Sequence, residues 1–196
     1  MHTERLIRTR RVPALAAAFA AVLIALVTVF DGQSASAYPA EADGVQAKID
    51  AVLANSTDGV QINENEIAWD GGTMVLTIPE EGEDVALGPD EIEYGNGYRN
   101  CPRGWTCLYE DKDFKGVRVR FTECGFIHQL SKTEPYFRDL ASSYHDNQTG
   151  GVRTTVYDWN DWVGGWFEIW TSAPAPTSST YVGDDKSDRA DGVRAC

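Results

Sequence analysis

The 196 residues carry 17 basic and 30 acidic side chains, a net charge of −13, and 42% of them are hydrophobic. That length and apolar content suit one ordinary domain with additions. The acidity excludes nucleic acid and anionic lipid as partners, because phosphate binding requires clustered Lys and Arg.

Residues 1–37 read as an export signal. Arg5, Arg8, Arg10 and Arg11 make a basic start, "VPALAAAFAAVLIALVTVF" is an apolar run, and Ala35-x-Ala37 offers a cleavage site before Tyr38. A retained anchor is the rival reading, since the run over residues 12–30 is about long enough to span a bilayer. Either way the remainder faces the outside, so a secreted, extracellular product with no membrane association after cleavage is expected. That product has 13 basic and 28 acidic residues, a net of −15, distributed unevenly: residues 38–100 carry −12 and residues 101–196 carry −3.

The acidic segment has a small architecture of its own over residues 38–79. "GVQAKIDAVLAN" sets Val45, Ile49, Val52 and Leu53 on one helical face. "EIAWDGGTMVLTIPE" then reads as two strands turning at Asp70-Gly71-Gly72, with Met74, Leu76 and Ile78 on one side and Val75 and Thr77 on the other. Residues 80–100, rich in acids and glycine, read as a solvated linker. An extension packed loosely on the main domain is the plainest expectation; a removable pro-segment and a cover over a binding face are the alternatives.

Cys101, Cys107, Cys124 and Cys196 form an even set in an exported chain, which argues for two disulfides rather than for zinc, whose ligand spacings they lack. Three pairings are open. Cys101 with Cys107, a local clip, and Cys124 with Cys196, a tie on the last residue, are preferred, worth roughly 2.4 and 4.4 kcal/mol by chain entropy.

Residues 101–196 contain an internal repeat. Tyr109, Phe114 and Gly116 of "YEDKDFKG" correspond to Tyr157, Trp162 and Gly164 of "YDWNDWVG" at an offset of 48, and "DLAS" from Asp139 corresponds to "DRAD" from Asp188 at an offset of 49. Units of about 101–148 and 149–196 follow. "WTCLYED", "GVRVRFTE", "RTTVYDW" and "GGWFEIWTS" read as strands. In "VRVRF" the alternation turns Val117, Val119 and Phe121 inward and Arg118 and Arg120 outward, toward a wet face. Within each repeat a strand ending in an aromatic turns back tightly, the second aromatic covers the turn, and glycine sits where a Cβ is excluded.

These residues resemble the βγ-crystallin superfamily, whose Greek-key unit carries aromatic-x4-aromatic-x-glycine and later a serine that bonds back onto the folded hairpin. Ser143 fits that serine in the first unit; Gly192 stands in the matching place of the second, which should leave that hairpin less well pinned. "CPRGWTCLYEDKDFKGVRVRF" with "FRDLASSYHDN" is similar, more closely, to secreted actinobacterial peptidase (metalloproteinase) inhibitors with a βγ-crystallin-like fold. The resemblance implies an all-β protein: two Greek-key units forming a β-sandwich, preceded by the helix-plus-hairpin extension. It also implies a monomeric binding protein that occludes the cleft of an extracellular protease, with no catalytic residue or cofactor of its own. The polar, proline-stiffened "TSAPAPTSST" at residues 171–180 is the candidate inhibitory loop on composition, against its reading as an ordinary connection.

The resemblance raises calcium as well, through the family pattern N/D-N/D-x-x-S/T-S. "RDLASS" and "SDRADG" offer Asp139, Ser142, Asp188 and Asp191 as candidate oxygen ligands, but Arg138 and Ser187 replace the leading acid or amide, and an arginine beside the cavity weakens the first site. Trp159, Trp162, Trp166 and Trp170 suggest a further alternative, a glycan- or cell-wall-binding or antimicrobial module, with Trp159 the indole to watch and core packing the plainer role. Catalysis finds no H-E-x-x-H or G-x-S-x-G, and no lone cysteine; His145 reads as a surface or edge residue.

Overall fold

In the computed structural model, residues 44–89, 91 and 100–196 are described; the export segment and most of the second half of the linker, at residues 90 and 92–99, lie outside them. The extension opens with helix α1 (Val45–Asn55). Its apolar face is the one the periodicity predicts: Ile49 and Val52 are fully buried, and Val45 and Leu53 pack against the same core. Burying Ile49 and Val52 is worth about 1.5–3 kcal/mol each. A short strand β1 (Val60–Gln61) follows, then β2 (Glu66–Trp69) and β3 (Met74–Thr77), joined by a turn in which Asp70, Gly71 and Gly72 all adopt positive φ.

The first repeat unit supplies β4 (Thr106–Tyr109), β5 (Arg118–Phe121), β6 (His128–Gln129) and β7 (Ser143–Asp146). The second supplies β8 (Thr155–Asn160), β9 (Gly165–Thr171), β10 (Thr177–Ser179) and β11 (Gly192–Arg194). One sheet runs β1-β2-β3-β5-β4-β7-β10 and the other β6-β11-β8-β9. The third strand of each unit therefore crosses to the opposite sheet, and the two units close as Greek keys into one sandwich. Between the sheets lie Leu108, Val119 and Phe121 from one side and Val156, Val193 and Ala195 from the other, with Phe137 and Leu130 in the same cluster.

Two expectations are corrected. The extension is not loosely packed: β3 pairs antiparallel with β5, Met74 opposite Phe121 and Leu76 opposite Val119, so it widens the first sheet to seven strands. Nor is the described part of the linker merely solvated. Val85 bridges Gly116, Ala86 is buried, and the Leu87 carbonyl accepts a hydrogen bond from Asn65 Nδ2 at 2.7 Å.

The face that alternation assigns to water is consequently covered. Arg118 is fully buried; its Nη1 lies 2.7 Å from Glu91 Oε2, it also donates to the Asn100 carbonyl, and Nη2 donates to Thr77 Oγ1 at 3.0 Å. Arg120 Nη1 reaches Glu66 at 3.0 Å and Glu91 at 2.8 Å. Both acids belong to the extension and linker, and both guanidiniums to the repeat domain. Lys132 adds a peripheral tie to Asp58 at 2.9 Å and Asp70 at 3.0 Å. The disulfides pair Cys101 with Cys107 and Cys124 with Cys196, as preferred from the sequence.

Candidate functional site

The first repeat corner is folded and sealed. After β4 the chain turns through Lys112–Phe114, with Asp113 and Phe114 both at positive φ. Phe114 swings under the turn and meets Tyr109 edge to face, centroids 5.4 Å apart. Gly116, at φ 74°, has no room for a side chain: a Cβ there would lie 2.9 Å from Glu110 Cβ and from Asp111 Oδ2. Ser143 Oγ donates to the Asp111 carbonyl at 2.6 Å and accepts from the Phe114 amide at 3.1 Å, bonding the bend at two points. Burial pushes the Tyr109 hydroxyl well above the usual phenol range and raises the Glu110 carboxyl as well.

The second corner departs from the expected pattern. Trp162 does not cover its turn; it is 96% exposed at the end of a straight ribbon in which Trp159 lies opposite Trp166 and Asn160 opposite Gly165. The cause is local. Asn160 Oδ1 accepts the Trp162 amide at 2.9 Å and the Val163 amide at 3.3 Å, and the Gly164 amide donates to the Asn160 carbonyl at 2.9 Å. A tight loop therefore closes on the ribbon end instead of folding back. The ring that faces Tyr157 edge-on is Trp166, at 6.4 Å, the place Phe114 takes beside Tyr109. Gly192 is required there: a Cβ would stand 2.8 Å from Trp166 Cζ3 and 2.6 Å from Ile127 Cγ2. The asparagine before the turn and the missing serine were the sequence signals of this difference.

The calcium candidates separate into two notches. In one, Ser142 Oγ lies 2.7 Å from Ser187 Oγ and 3.4 Å from Asp188 Oδ1. In the other, Asp191 Oδ1 accepts from Arg138 Nε at 2.5 Å, its Oδ2 accepts the Trp159 amide at 2.8 Å, and Asp139 stands 3.8 Å from the same guanidinium. Asp139 and Asp188 hold equivalent left-handed conformations, and each amide donates to the other unit, to Ala190 and Ala141 respectively. Hydrogen bonds to Glu134 and Asp191 raise the Arg138 pKa, while burial and Asp191 raise that of Asp139. The second notch thus carries its own cation. Among the described residues, no three His, Cys, Asp or Glu side chains gather as metal ligands.

Other candidates also find their places. Residues 171–180 are no free loop: Ser172 is buried and donates to Asp146 Oδ2 at 2.8 Å, the Ala175 amide bonds the Val152 carbonyl, and Thr177–Ser179 is strand β10. Trp170 stacks on Tyr144 with centroids 4.5 Å apart, and Trp159 meets Trp166 edge to face, so three of the four indoles have packing roles. His145 is buried, not at the surface, because β7 lies between β4 and β10; His128 packs between Phe121 and Phe126.

The β8–β9 tip is presented to solvent. Among the described residues, the exposed large apolar ones are Val60, Ile62, Phe126, Trp162, Val163 and Phe167, and three of these six stand on this one hairpin.

Residues 95–169 match the model of peptidase inhibitor family I36. No curated protein sequence matches the chain. Among solved structures, a βγ-crystallin domain from Clostridium beijerinckii is 23% identical, with 45% of this chain and 93% of that chain covered and a TM-score of 0.35. A double mutant of a βγ-crystallin domain from the same organism is 25% identical over 46% of this chain and 93% of its own, also at 0.35. A structure described under the evolution of the eye-lens βγ-crystallin domain fold is 14% identical, with 49% and 88% covered and a TM-score of 0.35. The crossed third strands of the two units give the Greek-key sandwich that the repeat implies.

Proposed function

We propose that the chain is exported and acts outside the cell as a peptidase inhibitor, occluding the target's cleft with the tip of the β8–β9 hairpin. The observation that carries the function is the match of residues 95–169 to the peptidase inhibitor family, a stretch that contains the tip of this hairpin. The geometry supplies the reason for the tip. An inhibitor of this kind needs a narrow convex segment that already holds its bound shape, because ordering a loose loop on binding subtracts from affinity. Residues 161–164 have that form, with Trp162 as the anchor: tryptophan is among the side chains most often found to dominate binding energy. No bond to the peptidase need form or break.

The glycan reading has less support, since ring contacts engage Trp159, Trp166 and Trp170 and Trp162 is the only one of the four indoles that is fully exposed. The test is residual activity of thermolysin, subtilisin, chymotrypsin and papain titrated with the secreted protein, beside binding to insoluble glycans. Stoichiometric loss of at least one peptidase activity is expected. Four unaffected enzymes with retention on glycan would reverse the order of the two readings.

A further inference from the structure

Strands β5 and β9 hold the same position in their repeat units, each being the second strand and each pairing with the first. Their outer edges are treated differently. The chain's own β3 adds to β5 over four residue pairs, so this edge demonstrably accepts another strand. The equivalent edge of β9 ends the second sheet, with no strand beyond it among the described residues. An open edge is a template for strand pairing, which proteins usually blunt with lysine, proline or a bulge. Gly165–Thr171 reads "GWFEIWT": it has neither lysine nor proline, and its single charge is Glu168. A bulge does occur, since Val156 faces Trp170 and Tyr157 faces Glu168, leaving Ile169 unpaired. It spares residues 165–168, a regular stretch as long as the one by which β5 receives β3, and Phe167 within it is 49% exposed.

We propose that residues 165–168 are a strand-addition site, taking an extended segment of the inhibited peptidase in antiparallel pairing as β5 takes β3. This rests on the inhibitor reading above and says what holds the enzyme once the tip is seated. The edge begins one residue after the tip loop, so a cleft that receives Trp162 brings its own rim alongside β9. Main-chain hydrogen bonds would supply affinity and side chains the choice of partner. Phe167 calls for an apolar residue opposite, and Glu168 for a basic one. A second copy of this chain fits less well, because pairing β9 with β9 sets two Glu168 carboxylates on one short ribbon between secreted bodies each carrying −15.

The experiment is hydrogen exchange on the full secreted chain, alone and bound to whichever of the four peptidases it inhibits, together with inhibition by Phe167→Lys. Expected are at least about 10-fold slower exchange of the residue 165–168 amides that β8 leaves unbonded, and at least about 10-fold weaker inhibition by the variant at an unchanged Tm, a factor worth one strong contact. Inhibition with unchanged exchange at 165–168 and a fully active variant would overturn the strand site and leave the inhibitor reading standing. Absence of inhibition of all four enzymes would remove the inhibitor reading and the inference with it. Slowed exchange at 165–168 without peptidase, with concentration-dependent dimerisation, would assign the edge to a second copy and contradict the proposal.

Discussion

Phe114 and Trp162 occupy the same place in their repeat units, yet Phe114 is 3% exposed and Trp162 is 96% exposed. One ring seals a corner, and the other is offered to solvent. Stability and function should therefore separate between them. Phe114→Ala should cost about 3–5 kcal/mol of unfolding free energy, and Trp162→Ala less than about 0.5 kcal/mol. Urea denaturation of the two variants checks this, and comparable losses would contradict the assignment.

Ser143 is buried and bonds the first corner at two points. Ser143→Ala should cost about 1–3 kcal/mol, because both of its bonds to the bend are lost away from water. Gly192→Ser, which restores the family's serine in the second unit, should not stabilise. Its Cβ would collide with Trp166 and Ile127, and overpacking of this kind costs about 1–3 kcal/mol. A rise in Tm for Gly192→Ser would show that the second corner can fold like the first.

The buried charges tie the extension into the fold. Glu66→Ala should cost about 3–5 kcal/mol, since it strips buried guanidiniums of a partner. A chain beginning at Asn100 would lose Glu66 and Glu91 together and bare the β5 edge, so it should aggregate or melt far below the full chain. A truncated product with the parent Tm would revive the pro-segment reading.

The raised pKa of Glu110 gives a pH signature. Burial lifts it above the ordinary glutamate value of 4.5, so the folded state favours the protonated carboxyl. That contribution is complete below the ordinary value and is lost as pH rises through the folded one. Glu110→Gln keeps an oxygen for the Val117 amide and should melt higher than the parent near about pH 7, with the difference vanishing near about pH 4. A constant difference across that range would contradict the account.

Much of the scaffold was legible from residue patterns. The α1 face, the hairpin turning at Asp70-Gly71-Gly72, the Cys101–Cys107 clip and the first corner all follow from local spacing, because each depends on neighbours in sequence. The burial of Arg118 was not legible. Alternation says which side chains point away from the core, but not that Glu66 and Glu91 will meet them there. The same limit explains the extension: nothing in "TMVLTI" announces that its partner strand is β5. Trp162 failed for a different reason, since the spacing motif specifies an aromatic and not the side of the turn on which it settles. There Asn160 and Gly192 decided the outcome.

The most direct test of the central claim is the inhibition constant of Trp162→Ala against that of the parent, measured on the same peptidase with both proteins shown to share one Tm. Occlusion by the hairpin tip predicts a loss of at least about 30-fold, the size of a dominant interface residue. Equal inhibition by the two proteins would place the contact elsewhere on the sandwich and contradict the mechanism proposed for it.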